Sequence, residues 1–221
     1  MSTRSRTAIG AGGTGLVGGH VLHQLVDIRS EVIGLTRRPV NNPVPGVTYA
    51  EIDYEALCEG APLPEADEVY ICLGTTIKKA GTREAFNRVD RDYVIAVAEQ
   101  ARAAGAWRLG LVSAIGASTE ARVEYSRTKG EVEAAIGSMG YDHVSIVRPG
   151  LILGERRNDP RPFEQFASFM TPMFNPLLQG SGRKYRSIDA EVIAAALIAS
   201  VRANQPGVHI LDYDDMVGIL E

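Results

Sequence analysis

A glycine-rich stretch near the amino terminus, Ile9-Gly10-Ala11-Gly12-Gly13-Thr14-Gly15-Leu16-Val17-Gly18, constrains this chain more than any other. It joins a short apolar run, Thr7 to Ile9, to a segment from Leu16 to about Ile28. In that segment Val17, Val21, Leu22, Leu25 and Ile28 recur at helical spacing. Strand, glycine turn and helix in that order form the framework that a dinucleotide pyrophosphate needs. Glycines let the chain turn sharply and bring backbone N–H groups close to phosphate oxygens. The helix that follows offers its unpaired N–H groups and the positive end of its dipole to the anion. Two frames overlap, Gly10-x-Gly12-x-x-Gly15 and Gly12-x-x-Gly15-x-x-Gly18. Either alone is a weak signal; the flanking strand and helix turn it into a cofactor site, with Gly12, Thr14, Gly15, Leu16, Val17 and Gly18 expected around the phosphates.

The second strand, Glu31 to Thr36, sharpens the expectation. A site for NAD carries an acid at this strand tip, about 20 residues past the glycines, to bind the ribose 2′-hydroxyl. Thr36 stands there instead, followed by Arg37 and Arg38. A carboxylate would repel a 2′-phosphate, whereas guanidinium groups grip one through charge-assisted bonds. The expected cofactor is therefore NADP(H). A third strand, Val47 to Ile52, ends at Asp53, which suits an adenine amino group or the N-cap of a short helix, Tyr54 to Cys58, equally well. The apolar run Glu68 to Leu73 is a fourth strand passing into Gly74 and Thr75, at the carboxyl edge where open α/β sheets bind ligands.

Thr82 is the expected N-cap of a long helix, Arg83 to Ala104, carrying Phe86, Val89, Tyr93 and Val97 on one stripe. Trp107 to Val112 makes a fifth strand closing on Ser113. A helix from about Ala121 to Met139 leads to a sixth strand, His143 to Val147, and then to Arg148-Pro149-Gly150. This alternation without repeats predicts right-handed crossovers and an α/β fold with a single doubly wound parallel sheet. After Leu153 the texture changes. Phe163 to Leu178 concentrates aromatic and methionine side chains, suited to core or to a lid over an apolar pocket. A last helix from Asp189 or Ala190 to about Val201 and a strand from Val208 to Leu211 complete the chain. Residues 1–221 thus read as one Rossmann domain, in which 151–221 supply a small substrate-side cap.

Within this frame Tyr125 and Lys129 stand at i and i+4, on one helix face. A phenol is a poor proton donor at neutral pH, and an adjacent ammonium favours its ionised form. The same ammonium can bond the ribose hydroxyls of a nicotinamide nucleotide. Ser113 is placed to polarise a substrate carbonyl while Tyr125 gives or takes the proton. Pro149, after the sixth strand, falls where the nicotinamide end would lie. The catalytic group expected is Ser113, Tyr125 and Lys129.

These residues, in this order, resemble the atypical short-chain dehydrogenases/reductases over nearly the whole chain. Cys72-Leu-Gly-Thr-Thr76, Lys79-Ala-Gly81, Phe86, Val89-Asp90, Lys129-Gly-Glu131 and Arg148-Pro-Gly150 are similar to the branch named for a Tat-interacting protein of mammals. The resemblance implies NADP(H) contacts at Gly12, Gly15, Gly18, Arg37, Arg38, Asp53, Leu73 and Gly74, and catalytic roles for Ser113, Tyr125 and Lys129. Asp90 departs from the asparagine that extended members of the superfamily often carry there. The short C-terminal portion argues against a nucleotide-sugar pocket. The leading expectation is an NADP(H)-dependent reductase or dehydrogenase of a small carbonyl or hydroxyl compound. A nucleotide-binding regulatory or scaffold protein, and an epimerase with tightly held cofactor, stand as alternatives.

A net charge of -4 argues against nucleic acid or an anionic lipid surface as partner. The longest apolar run, Val192 to Ala199, is too short to span a bilayer, and no signal peptide is evident. Cys58 and Cys72 form no metal or redox motif, so a reducing cytoplasm is the expected location. His20 and His23, a turn apart without a third ligand, read as surface residues rather than a metal site. The helix stripes at 83–104 and around Tyr125 would serve a homodimer or internal packing equally.

Overall fold

The computed structural model describes residues 6–154, 180–203 and 205–221. Seven strands form one parallel sheet: β1 (Thr7–Ala11), β2 (Glu31–Thr36), β3 (Val47–Glu51), β4 (Glu68–Ile71), β5 (Arg108–Val112), β6 (His143–Val147) and β9 (Gly207–Leu211). Their order is β3-β2-β1-β4-β5-β6-β9. The order reverses between β1 and β4, so a crevice opens beyond their carboxyl ends, the place where doubly wound sheets hold ligands. A second, two-stranded pairing joins β7 (Ile152–Leu153) to β8 (Ile188–Asp189).

Strand alternation divides the core between the two faces. Ile9, Ile33, Val69, Ile71, Leu109 and Ile146 meet one helical layer: α2 (Tyr54–Cys58), α5 (Tyr93–Ala103) and α6 (Glu124–Gly137). Ala8, Val32, Tyr70 and Val147 meet the other: α1 (Leu16–Val26), α7 (Ala190–Arg202) and α8 (Tyr213–Gly218). Burial on both faces explains why Val69, Tyr70 and Ile71 of β4 read as a continuous apolar run rather than an alternating one. The C-terminal residues thus build part of the main sheet and its helical layer, with β9 against β6 and α7 against α1.

Three local features differ from the sequence reading. The long helix capped by Thr82 is not uniform: α4 (Arg83–Asn87) passes into a π turn (Arg88–Asp92) before α5. Thr82 Oγ1 accepts from Ala85 N at 3.1 Å, as expected of an N-cap. The loop after β4 contains a short helix, α3 (Ile77–Ala80), whose cap Thr76 Oγ1 accepts from Lys79 N at 3.2 Å. The chain also ends in α8, started by a capping box between Asp212 and Asp215. The aromatic stretch Phe163 to Leu178, considered above as core or lid, lies outside the described residues.

Candidate functional site

At the end of β1 the chain turns through Gly12 with φ +87°, a conformation that L side chains rarely adopt. A Cβ on Gly12 would lie 2.5 Å from the Cys72 carbonyl oxygen, and one on Gly18 only 2.2 Å from the Gly12 carbonyl oxygen. The first glycine makes the turn beside β4; the last brings α1 against it. Gly15 N donates to Gly12 O at 2.9 Å and Gly15 is the N-cap of α1. The helix has no capping side chain and no acid in its first turn, so nothing on α1 itself competes with an anion for its N–H groups. Thr14 and Gly15 are exposed and Leu16 is half-buried, while Val17 and Gly18 are buried. This cradle fits a dinucleotide.

Along the same edge, Thr36 Oγ1 donates to Arg38 O at 2.6 Å and folds the turn after β2. Arg37 and Arg38 are left exposed at the strand tip. Arg37 lies near Tyr54: burial pushes that phenol up to about 12, and the guanidinium pulls against it. Asp53 is the N-cap of α2, accepting from Glu55 N at 2.9 Å. Of the two uses weighed for it, the helix cap is the one seen here.

On the other side of the crevice, Leu73, Gly74 and Thr75 follow β4. Thr75 N donates to Asp90 Oδ2 at 2.7 Å, and Asp90 Oδ1 lies 2.8 Å from Lys129 Nζ. Asp90 and Lys129 are both buried. Asp90 owes its place to the π turn, a feature frequent at functional sites. Oδ1 makes no hydrogen bond of good angle, so charge alone holds it to Lys129.

Tyr125 and Lys129 share one face of α6, as their spacing implies, with Lys129 Nζ 5.9 Å from the Tyr125 ring centre. The Phe86 ring packs against the phenol at a centroid distance of 5.9 Å. Tyr125 keeps 38% of its surface open. Burial pushes the phenol above its ordinary value, Lys129 pulls it down and Asp90 pushes it up; the balance is upward. Lys129 does lower it, as the spacing led us to expect, but desolvation is the larger effect and favours the neutral phenol, and Asp90 adds to it.

Ser113 is buried at the end of β5, and its hydroxyl donates to the Glu133 carboxylate. Arg148 closes the group, its Nε donating to Glu133 Oε1 at 3.0 Å and its Nη2 pairing with Oε2. A carboxylate only accepts, so the Ser113 proton is already committed and its lone pairs are what it offers a ligand. Polarising a carbonyl, the role expected from the sequence, would mean surrendering that bond. Pro149 is buried, and its carbonyl accepts from Ile115 N at 3.0 Å, tying the loops after β5 and β6 together. Gly130 lets α6 approach them: a Cβ there would lie 2.2 Å from the Ser118 carbonyl carbon.

The sequence reading did not place Glu133 or Arg148 in this site, nor pair Asp90 with Lys129. A signal existed for Glu133, since it stands at i+8 from Tyr125 on one face of α6. Among the described residues no cluster of histidine, cysteine or acid could hold a metal ion, and no helix is long and apolar enough to cross a membrane. Cys72 is a free thiol, pushed up to about 12 by burial.

A family model described as NAD(P)H-binding matches residues 12–173. Protein HTATIP2 of Rattus norvegicus is 42% identical over 122 residues, covering 55% of this chain and 50% of that protein; the match thus spans half the relative's length. The mitochondrial protein FMP52 of Eremothecium gossypii is 35% identical over 159 residues, covering 71% of this chain and 70% of the relative. Among solved structures, UDP-glucose 4-epimerase of Thermotoga maritima superposes with a TM-score of 0.70 over 93% of this chain and 76% of that one. At 16% identity this likeness is one of fold. The relatives also correct the cytoplasmic location read from cysteine usage, because the fungal proteins are named as mitochondrial. Unpaired thiols report a reducing surrounding and do not distinguish one such compartment from another.

Proposed function

Because the chain belongs to the NAD(P)H-binding family, in the HTATIP2-like branch of the atypical short-chain dehydrogenases/reductases, we propose that it is an NADP(H)-dependent oxidoreductase of a small carbonyl or hydroxyl compound. The observation that carries this reading is the link from Lys129 through Asp90 to the Thr75 backbone, with the Tyr125 ring on the same helix face, beside the point where strand order reverses.

The backbone of Gly12, Thr14, Gly15, Leu16, Val17 and Gly18 holds the pyrophosphate at the amino end of α1. Arg37 and Arg38 grip a 2′-phosphate, which an acid at the same place would repel. Asp53 lies toward the adenine end. Leu73, Gly74 and Thr75 would flank the nicotinamide half, with Lys129 available to the ribose and Pro149 on the same side of the crevice. The nicotinamide, when bound, supplies or accepts the hydride. Tyr125 protonates the substrate oxygen in reduction and takes its proton in oxidation. Ser113, with its own proton on Glu133, accepts a hydrogen bond from a substrate hydroxyl and so favours the alcohol side of the reaction.

The test is Tyr125→Phe on a panel of small carbonyls and alcohols. Turnover should fall by roughly 10²–10⁴-fold, while NADPH binding persists. Unchanged turnover would remove Tyr125 from the chemistry. A second reading, a nucleotide-binding regulatory protein with little turnover, is favoured by the same ion pair, because a lysine neutralised by Asp90 activates a phenol poorly. It predicts no turnover by the wild type on the panel and a cofactor-dependent association with a partner protein.

A further inference from the structure

Asp90 has no part in the chemistry expected of Tyr125 and Lys129, yet it is the group that touches the lysine. Its carboxylate is 1% exposed and spans two elements: Oδ1 lies 2.8 Å from Lys129 Nζ on α6, and Oδ2 takes the Thr75 N–H at 2.7 Å from the loop after β4. Gly74 lies over the pair. A Cβ there would sit 3.6 Å from Asp90 Oδ1 and 4.0 Å from Lys129 Nζ, so a side chain at this position would come into contact with both charges.

The consequence for Tyr125 is electrostatic. Burial raises the phenol most; beside it two charged groups act, Lys129 from its own helix pulling it down and Asp90 from the π turn pushing it up. Its other neighbour, Phe86 on α4, is uncharged. Glu124, next to Tyr125 in the chain, is engaged with Arg83 at 3.2 Å and Asn87 Nδ2 at 3.3 Å. An isolated ammonium beside a phenol acts as a monopole and favours the phenolate strongly. An ammonium 2.8 Å from a carboxylate acts as a dipole, whose field dies away faster with distance. Both partners are buried, so solvent screens this cancellation little.

We propose that Asp90 is a positioning residue that tethers the Lys129 ammonium to the loop after β4 and offsets part of its charge at Tyr125, adding to burial in favouring the neutral, proton-donating phenol. The geometry also couples the cofactor side of the crevice to the phenol, because the Gly74–Thr75 backbone and Lys129 share one carboxylate. The catalytic consequence rests on the reading of Tyr125 as acid and base; the electrostatic effect does not.

The experiment follows the phenol directly. Protein carrying ¹³Cζ-labelled tyrosine is titrated by NMR, with the Tyr125 resonance assigned from Tyr125→Phe. Wild type should titrate above an ordinary phenol, and Asp90→Asn should titrate at least about one pH unit lower, a tenfold rise in phenolate at a given pH. Asp90→Ser carries the same prediction should Asn fail to fold. In active protein the pH profile of kcat should move by the same interval, whereas a purely structural role for Asp90 would lower its height without moving it. A midpoint in the Asp90 variants that is unchanged or higher overturns the proposal. Absence of turnover with a lowered midpoint would instead overturn the oxidoreductase reading and leave the proposal standing.

Discussion

The two ends of the central strands both bury charge, and they treat it in opposite ways. At the amino ends, Glu68 opens β4 with no exposed surface and receives Arg29 through Nε at 2.9 Å and Nη2 at 2.7 Å. Tyr70 donates to the same carboxylate at 2.9 Å, and Arg6 adds a longer contact at 3.4 Å. Two strands away, His143 Nε2 and Ser145 share a hydrogen bond at 2.7 Å that continues to Ser200. Most polar valences there are spent inside the protein, Arg108 Nε being the buried donor left without a partner among the described residues. At the carboxyl ends, Asp90 meets Lys129 by charge without a well-angled hydrogen bond, and the Tyr125 hydroxyl makes none among the described residues. The two phenols state the difference most simply. Burial raises both, but Tyr70 uses its hydroxyl to satisfy Glu68, whereas the Tyr125 hydroxyl makes no hydrogen bond among the described residues. A network that closes on itself holds the sheet together; one left open is free to bind and react.

That contrast can be broken by mutation. The largest effect is expected from Arg29→Met, which leaves Glu68 buried without its main partner. The loss should be about 3–5 kcal/mol, a fall in Tm of roughly 6–20 °C for a chain of this size, with NADPH affinity of the folded protein unchanged. Tyr125→Phe should cost stability less than about 1 kcal/mol, since no internal bond is lost, while turnover collapses. If the tyrosine variant melts early or the arginine variant loses affinity, the two ends do not divide the work as described. The smallest effect concerns pH. Burial holds the His143 imidazole below its ordinary value, so the unfolded chain binds its proton more readily than the folded one. Stability is then full above the unfolded value near 6.5 and declines as pH falls through it, by at most about 1.4 kcal/mol per pH unit. His143→Gln should flatten that part of the Tm–pH curve.

Much of this was legible in the sequence because it depends on local periodicity. The bounds of β2, α2 and β6 follow from apolar runs between clear stops, and the glycine loop follows from positions where no side chain fits. Tyr125 and Lys129 share a face because the helix repeat dictates it. The π turn was not legible: Phe86, Val89 and Tyr93 keep a helical stripe whether or not the backbone widens between Arg88 and Asp92. That widening decides where Asp90 points, and so what Lys129 touches. The link from Ser113 to Glu133 and Arg148 joins residues from three elements, which no spacing rule connects. Nor could spacing give the direction of the Tyr125 shift, a balance of burial against two opposed charges.

A nucleotide bound along the carboxyl edge would place its 2′-phosphate at Arg37 and Arg38. Calorimetric titration with NADPH and NADH tests this most directly, in the wild type and in Arg37→Ala/Arg38→Ala. The wild type should prefer NADPH by about tenfold or more, and the double variant should lose that preference while still binding NADH. Equal affinities in the wild type, or no binding of either nucleotide, would contradict it.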